Sequence, residues 1–384
     1  MYISELFRII NGALRLDTNK VRNYAAFLAD KLEQNGDKPS ADRLRRLLTE
    51  NDHQLHQAHI ASSAPPVDGE TRFPLLENTN LNDPAETPLI ITDEQKDILN
   101  EFISVAKCQA QFEAKGVSSS LALLIFGPPG CGKSRLAREI AKDLGLKLYV
   151  ARLDGLISSY LGSTSKNIRA IFEFASRTPC VLLLDEFDAI AKLRDDTQEL
   201  GELKRVVNSF LQNLDSLGTQ SIIIAATNHH QLLDPAVWRR FSYRINLNNP
   251  DMELREQMWR EFLKPIKWTE KNYFILADLS DGFSGGDIKE VCLRMKRQLI
   301  LTKKNPSLKD AFVGLCRLSS GDGAEGRFLF ALKDEDQCLV ASKLRAKNQK
   351  LYSNSTLALL LGVSRATAHR WAKKGERIDG KSRK

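Results

Sequence analysis

The chain has 384 residues and a formal net charge of +8, with 42% hydrophobic and 27% charged residues. That length predicts more than one domain, at about 100–200 residues each, and the composition excludes a disordered or collagen-like chain. No apolar run approaches the roughly 20 residues that cross a bilayer, the N-terminus MYISELFRIINGALRL lacks the layout of a secretion signal, and the six cysteines are scattered without a C-x-x-C pair. A cytoplasmic protein with reduced thiols and no membrane contact is expected.

Charge is unevenly placed: Lys343–Lys384 holds twelve Lys or Arg against two acids. A nucleic acid or an acidic partner is therefore expected at that end.

In TNKVRNYAAFLADKLEQNG, Val21, Tyr24, Ala25, Leu28 and Leu32 recur at three and four, and Gly36 stops the helix. Ser40 then caps a shorter run with Leu44, Leu47 and Leu48 on one side. Residues 1–50 are thus expected to form a small helical domain. Residues 51–89 carry five prolines and read as a flexible linker. His53, His56 and His59 share a helical spacing at its start, but with no fourth ligand evident they are read as solvated rather than as a metal site.

From 90 to 249 short apolar strands, LALLIF, CVLLLD and SIIIAA, alternate with amphipathic helical stretches. That alternation predicts an α/β fold with a parallel sheet flanked by helices on both faces. Residues 250–310 read as helical, and 311–342 have no assignment.

The run GPPGCGKS (Gly127, Pro128, Pro129, Gly130, Cys131, Gly132, Lys133, Ser134) fits G-x-x-x-x-G-K-[ST] between a strand and a helix, the context of a P-loop. Its glycines let backbone N–H groups wrap phosphate oxygens at a helix N-terminus. Lys133 would reach the β- and γ-phosphates of ATP, Ser134 would bind Mg²⁺, and Arg135 follows directly in the nucleotide-contacting set. The second half is VLLLDEFD, an apolar strand that delivers Asp185 to the sheet edge to hold the metal's water shell. Glu186, next along, is the candidate base that activates the attacking water. Binding plus hydrolysis of ATP is the expectation.

With these motifs in view, the chain resembles the AAA+ ATPases of the protein-remodelling AAA branch, over about residues 90–305. SIIIAATN is similar to that family's sensor-1 strand, which implies that Asn228 polarises the water and the γ-phosphate. LDPAVWRRF resembles the segment of its arginine fingers, so Arg239 and Arg240 would complete a neighbouring subunit's site, with neither singled out. DGFSGGDI resembles the lid signature, where Gly285 and Gly286 would allow close backbone approach to adenine. SSYLGSTSKNIR resembles the first pore loop, in which Tyr160, Leu161 and Gly162 would grip an extended polypeptide. The lid lacks the sensor-2 arginine of other AAA+ branches, in agreement with the remodelling branch. The resemblance implies a P-loop NTPase sheet, a helical lid at 250–310, a homo-oligomer, most often a hexamer, and a protein substrate. Similarity to bacterial AAA ATPases found beside subtilisin-like proteases would extend this to a protease partner or phage defence.

The stretch STLALLLGVSRATAHRWAKKGE has the pattern of a helix-turn-helix over 343–384, with Gly362 at the turn, Ser364 as cap and Leu357, Leu361, Val363, Ala368 and Trp371 inside. Arg365, Thr367, His369 and Arg370 would then face DNA, with Lys373, Lys374 and Arg377 available for phosphates. The same hairpin could instead dock protein. Two functions stay open: an ATP-driven motor that remodels a protein through a hexameric ring, or a DNA-anchored ATP-dependent switch.

Overall fold

The computed structural model describes residues 2–14, 17–50, 65–68, 72–81, 87–117, 121–153, 161–188, 200–216, 221–319 and 337–382. The chain divides into two compact units: Met1–Ala85, Thr92–Gly127 and Lys133–Leu247 form the first, and Glu86–Ile91, Pro128–Gly132 and Asn248–Lys384 the second.

Three helices open the first unit, α1 (Ile3–Leu14), α2 (Thr18–Gln34) and α3 (Lys38–Glu50). Asp17 caps α2 by accepting from the Lys20 amide at 3.0 Å. Leu28, Leu32 and Ala41 are buried in a small core of their own. The helices meet the rest of the unit through polar contacts, the Asn23 amide donating to the Arg177 carbonyl at 3.1 Å and Arg177 pairing with Asp17 at 3.5 Å, and through buried Tyr24, which lies near Cys180. Ile3, Leu6, Phe7, Ile10 and Leu14 on α1 are exposed.

The sheet has six strands, β1 (Glu77–Thr79), β2 (Ala122–Phe126), β3 (Lys147–Arg152), β4 (Cys180–Asp185), β5 (Ile222–Thr227) and β6 (Tyr243–Asn246), in the order β1-β3-β4-β5-β2-β6. All neighbours are parallel except the β1–β3 pair. β2, β4 and β5 are almost wholly apolar and nearly fully buried, which suits strands covered on both faces. The helices of this unit are α4 (Asp93–Ala114), α5 (Lys133–Leu144), α6 (Leu161–Arg177), α7 (Leu200–Ser216) and the single turn α8 (Pro235–Trp238). Phe172, Phe187 and Phe210 form part of a core that α6 and α7 share with β4 and β5.

The segment read as a linker differs from that expectation. β1 pairs with β3, Val67 bridges Pro74, and Leu75 and Leu76 are buried. Asn167 donates to the buried Asp68 carboxylate. Here Pro66 and Pro74 belong to a local turnback, the Pro66 carbonyl accepting from the Leu75 amide at 2.9 Å, and proline-free Glu77–Thr79 makes the sheet edge. His53, His56 and His59 lie outside the described residues.

The second unit is helical: α9 (Met252–Phe262), α10 (Glu270–Leu279), α11 (Gly285–Thr302), α12 (Leu308–Ser319), α13 (Gln337–Lys347), α14 (Asn354–Leu361) and α15 (Arg365–Ser382). One apolar cluster runs through all seven, from Trp259, Phe283, Met295 and Phe312 to Leu344, Tyr352, Leu357 and Ala368. Two polar side chains buried in it find partners: Trp259 Nε1 donates to Ser280 Oγ at 2.9 Å, and Arg255 donates to the carbonyls of Ala277 and Pro250. Asp278 of α10 accepts from the Tyr352 hydroxyl and pairs with Lys347 at 3.1 Å. α14 ends at Gly362, in the left-handed region at φ +69°, and the Ser364 hydroxyl accepts from the Thr367 amide at 3.1 Å to start α15.

Candidate active site

In the first unit the ends of three adjacent strands carry candidate site residues. β4, β5 and β2 lie side by side and parallel, so residues 185–186, 228 and 127 all leave the carboxyl edge of the sheet. Lys133 and Ser134 open α5, whose N-terminus supplies a positive dipole end.

Gly127 is required by close approach. A Cβ there would sit 2.0 Å from the Leu247 carbonyl oxygen, and φ is +143°. The Lys133 ammonium is buried and donates to the Gly127 carbonyl at 2.8 Å. Ser134 Oγ donates to Asp185 Oδ2 at 3.1 Å. Arg135 is turned along α5 to Glu139. Glu186 is exposed, with φ +53°, a conformation a non-glycine residue rarely holds outside a functional constraint. Asn228 follows β5 directly and is half-buried.

Ser134 and Asp185 offer oxygen donors alone, one hydroxyl and one carboxylate within hydrogen-bond reach of each other. That set fits Mg²⁺, which keeps most of its waters and takes one or two protein oxygens. Among the described residues no cluster of three or more His, Cys, Asp or Glu could hold a metal by itself.

Two residues tie the strand ends together without a motif to announce them. Thr227 Oγ1 donates to the buried Asp188 carboxylate at 3.1 Å and accepts from the His229 amide at 3.0 Å. The Phe187 amide donates to the Ala226 carbonyl at 2.9 Å. The last acid of DEFD thus fixes the spacing between the 185–186 turn and Asn228. Only its place beside Asp185 and Glu186 hinted at this.

In the second unit Pro128–Gly132 and the start of α11 are in contact. Gly130 has φ +80°, and a Cβ there would meet Ser284 Oγ at 2.4 Å. The Gly286 amide donates to the Gly130 carbonyl at 2.9 Å. Ser284 and Asp287 form a reciprocal capping box that holds this turn. Close approach was expected at Gly285 and Gly286 toward adenine; at Gly286 it is made to the P-loop backbone. Cys131 faces Asn249, Sγ to Oδ1 3.4 Å.

The two candidate finger arginines are not equivalent. Arg240 is held by both carboxylate oxygens of Asp215, at 3.1 and 3.2 Å, and by the Ala236 carbonyl. Arg239 is exposed, and among the described residues its guanidinium has no polar partner. Leu161 and Gly162 begin α6, whereas Tyr160 lies outside the described residues.

Of the C-terminal candidates, Arg365 and Arg370 are exposed, and Thr367 is half-buried and hydrogen-bonded to Ser364. His369 is half-buried on the same helix. Its Nδ1 faces the Asn354 amide nitrogen at 3.4 Å, and Arg345 donates to the Asn354 oxygen at 2.7 Å, so the ring serves the α14–α15 packing.

Residues 123–249 match the family described as "ATPase family associated with various cellular activities (AAA)". The chain is 43% identical over 188 residues to an uncharacterized AAA family ATPase, y4kL, of Sinorhizobium fredii, covering 47% of this chain and 55% of that one. It is 31% identical to the ATP-dependent zinc metalloprotease FtsH 2 of Bdellovibrio bacteriovorus, covering 65% of this chain and 42% of the relative. Against the human ATPase family gene 2 protein homolog A it is 32% identical, over 62% of this chain and 27% of the relative. The chain therefore spans about half, or less, of the length of the curated relatives it matches. In fold it is similar to the crystal structure of the FIGL-1 AAA domain in complex with ADP, with a TM-score of 0.53, 23% identity and coverage of 68% of this chain and 91% of that one. Residues 123–249 thus carry an AAA ATPase domain, and the fold is that of a P-loop NTPase.

Proposed function

We propose that this protein hydrolyses ATP with Mg²⁺ and uses the cycle to remodel a protein substrate, as a homo-oligomeric ring, most economically a hexamer. The observation that carries the reading is the contact of Ser134 with Asp185, with buried Lys133 on the same helix turn and Glu186 next along the chain. Lys133 would neutralise β- and γ-phosphate charge, and Ser134 and Asp185 would hold the metal, which polarises the phosphoryl oxygens when bound. Glu186 would take the proton of the attacking water, with Asn228 orienting that water. The exposed, unpaired Arg239 suits a finger that acts on a neighbour's nucleotide, whereas Arg240, held by Asp215, suits the role of positioning the turn. Tyr160, Leu161 and Gly162 would supply the grip on an extended chain.

The test is Glu186→Gln. It should retain ATP binding while turnover falls by about 10²–10⁴-fold, the range for loss of a general base. Purified from native cells with ATP, it should hold a client protein that survives nuclease and is lost when Tyr160→Ala is added. Unchanged turnover would remove Glu186 from the mechanism, and capture indifferent to Tyr160 would remove the pore reading. A second reading, a DNA-anchored ATP-controlled switch, is favoured by the acid-free run of eight Lys or Arg from Lys343 to Lys374.

A further inference from the structure

The basic C-terminal sequence is not a tail on this protein. α13, α14 and α15 share one apolar cluster with the helices around Trp259 and Phe283, and Asp278 of α10 holds both Lys347 and Tyr352. α14 and α15 are joined by the three residues Gly362–Ser364, with Ser364 as the cap of α15. A short helix, a three-residue turn and a longer basic helix match the docking unit that lays its second helix in the major groove of a duplex.

The first turns of α15 present Arg365, Arg370, Lys373 and Lys374 outward, and none is paired with a carboxylate among the described residues. A fifth cation reaches the same edge from outside the hairpin. The side chain of Lys309, on α12, lies over the turn: a Cβ on Gly362 would sit 2.6 Å from its Nζ.

We propose that α12 and the α14–α15 hairpin form one composite edge that binds duplex DNA, with Lys309 as a phosphate contact beside the Arg365–Lys374 face. This rests on the DNA reading of the C-terminal helices and deepens it. The DNA-binding surface belongs to the helical body that follows the ATPase sheet in sequence, not to a separate module. Charge complementarity selects the ligand, because a phosphate every few ångströms matches a face on which five cations stand against one acid, Asp310 beside Lys309. Arg365 and Arg370 stand where base edges are read, and the lysines stand where backbone is held.

Lys309 also lies by the C-terminal carbonyls of α14, where a cation is favourable without any ligand. The experiment separates these roles. Binding of the full chain to a fluorescent 30-base-pair duplex of mixed sequence would be followed by anisotropy across a salt series, with thermal melting alongside. Arg370→Ala/Lys373→Ala/Lys374→Ala should weaken binding at least about tenfold and lower the salt slope by about 3. Lys309→Ala should weaken it several-fold and lower the slope by about 1, with the melting temperature unchanged. Lys309→Arg should bind as the parent does. If the triple variant loses affinity but Lys309→Ala does not, the composite edge is wrong and the hairpin alone binds. If no duplex binds at low salt, or the triple variant binds normally, the DNA reading fails altogether. Neither result touches ATP turnover, so the hydrolytic reading stands or falls separately.

Discussion

The two ends of this chain look alike in sequence and are treated oppositely by the fold. Each is a run of amphipathic helices flanking an ATPase domain. The N-terminal helices keep a private core of Leu28, Leu32 and Ala41 and meet the sheet unit through contacts such as Asn23–Arg177 and Asp17–Arg177. The C-terminal helices have no separate core; Leu344, Tyr352, Leu357 and Ala368 belong to the same cluster as Trp259 and Phe283. Polar attachment is specific but weak, whereas a shared apolar core is energetically inseparable. The lesson is that a terminal module is defined by what covers its apolar face, not by its place in the chain.

The contrast can be broken by experiment. Deleting 337–384 should have the largest effect. It strips one side of the shared cluster, so limited proteolysis should digest 248–319 while the sheet unit survives. Deleting 1–50 should leave that cluster intact and lower the melting temperature only modestly; equal damage from both deletions would erase the distinction. Leu357→Ala, at a fully buried position, should cost about 2–5 kcal/mol by denaturant melting. Gly362→Ala should cost about 1–2 kcal/mol, since it forces a side chain into the left-handed region and displaces Lys309. Arg177→Ala, which cuts the partly exposed pair with Asp17, should cost at most about 1 kcal/mol. A larger loss there would mean that the N-terminal helices are as integral as the C-terminal ones.

Legibility followed the same physics. GPPGCGKS could be read because its pattern is tightly constrained: Gly127 leaves no room for a side chain against the Leu247 carbonyl, and Lys133 and Ser134 open a helix. The central strands could be read because burial on both faces leaves an unmistakable apolar run. The helix-turn-helix pattern over 343–384 implies an inner face, but not that Trp259 and Phe283 share its core, nor that a helix begins at Gln337. The choice between Arg239 and Arg240 was equally closed, because Asp215, the carboxylate that claims Arg240, comes 25 residues earlier. The contact of His369 with Asn354 was closed to sequence for a similar reason: the two are 15 residues apart.

Glu77–Thr79 is polar and only three residues long, and it pairs antiparallel with Leu148–Val150. A shortened chain begun at residue 90, just ahead of every candidate site motif, would discard it together with buried Leu75 and Leu76. The outer row of N–H and C=O groups on β3 would then stand open, an invitation for a second copy to add itself as a strand. Such a fragment should scatter light on concentration while one begun at residue 65 stays clear. The few residues between the helices and the ATPase are thus less a tether than a seal on the sheet.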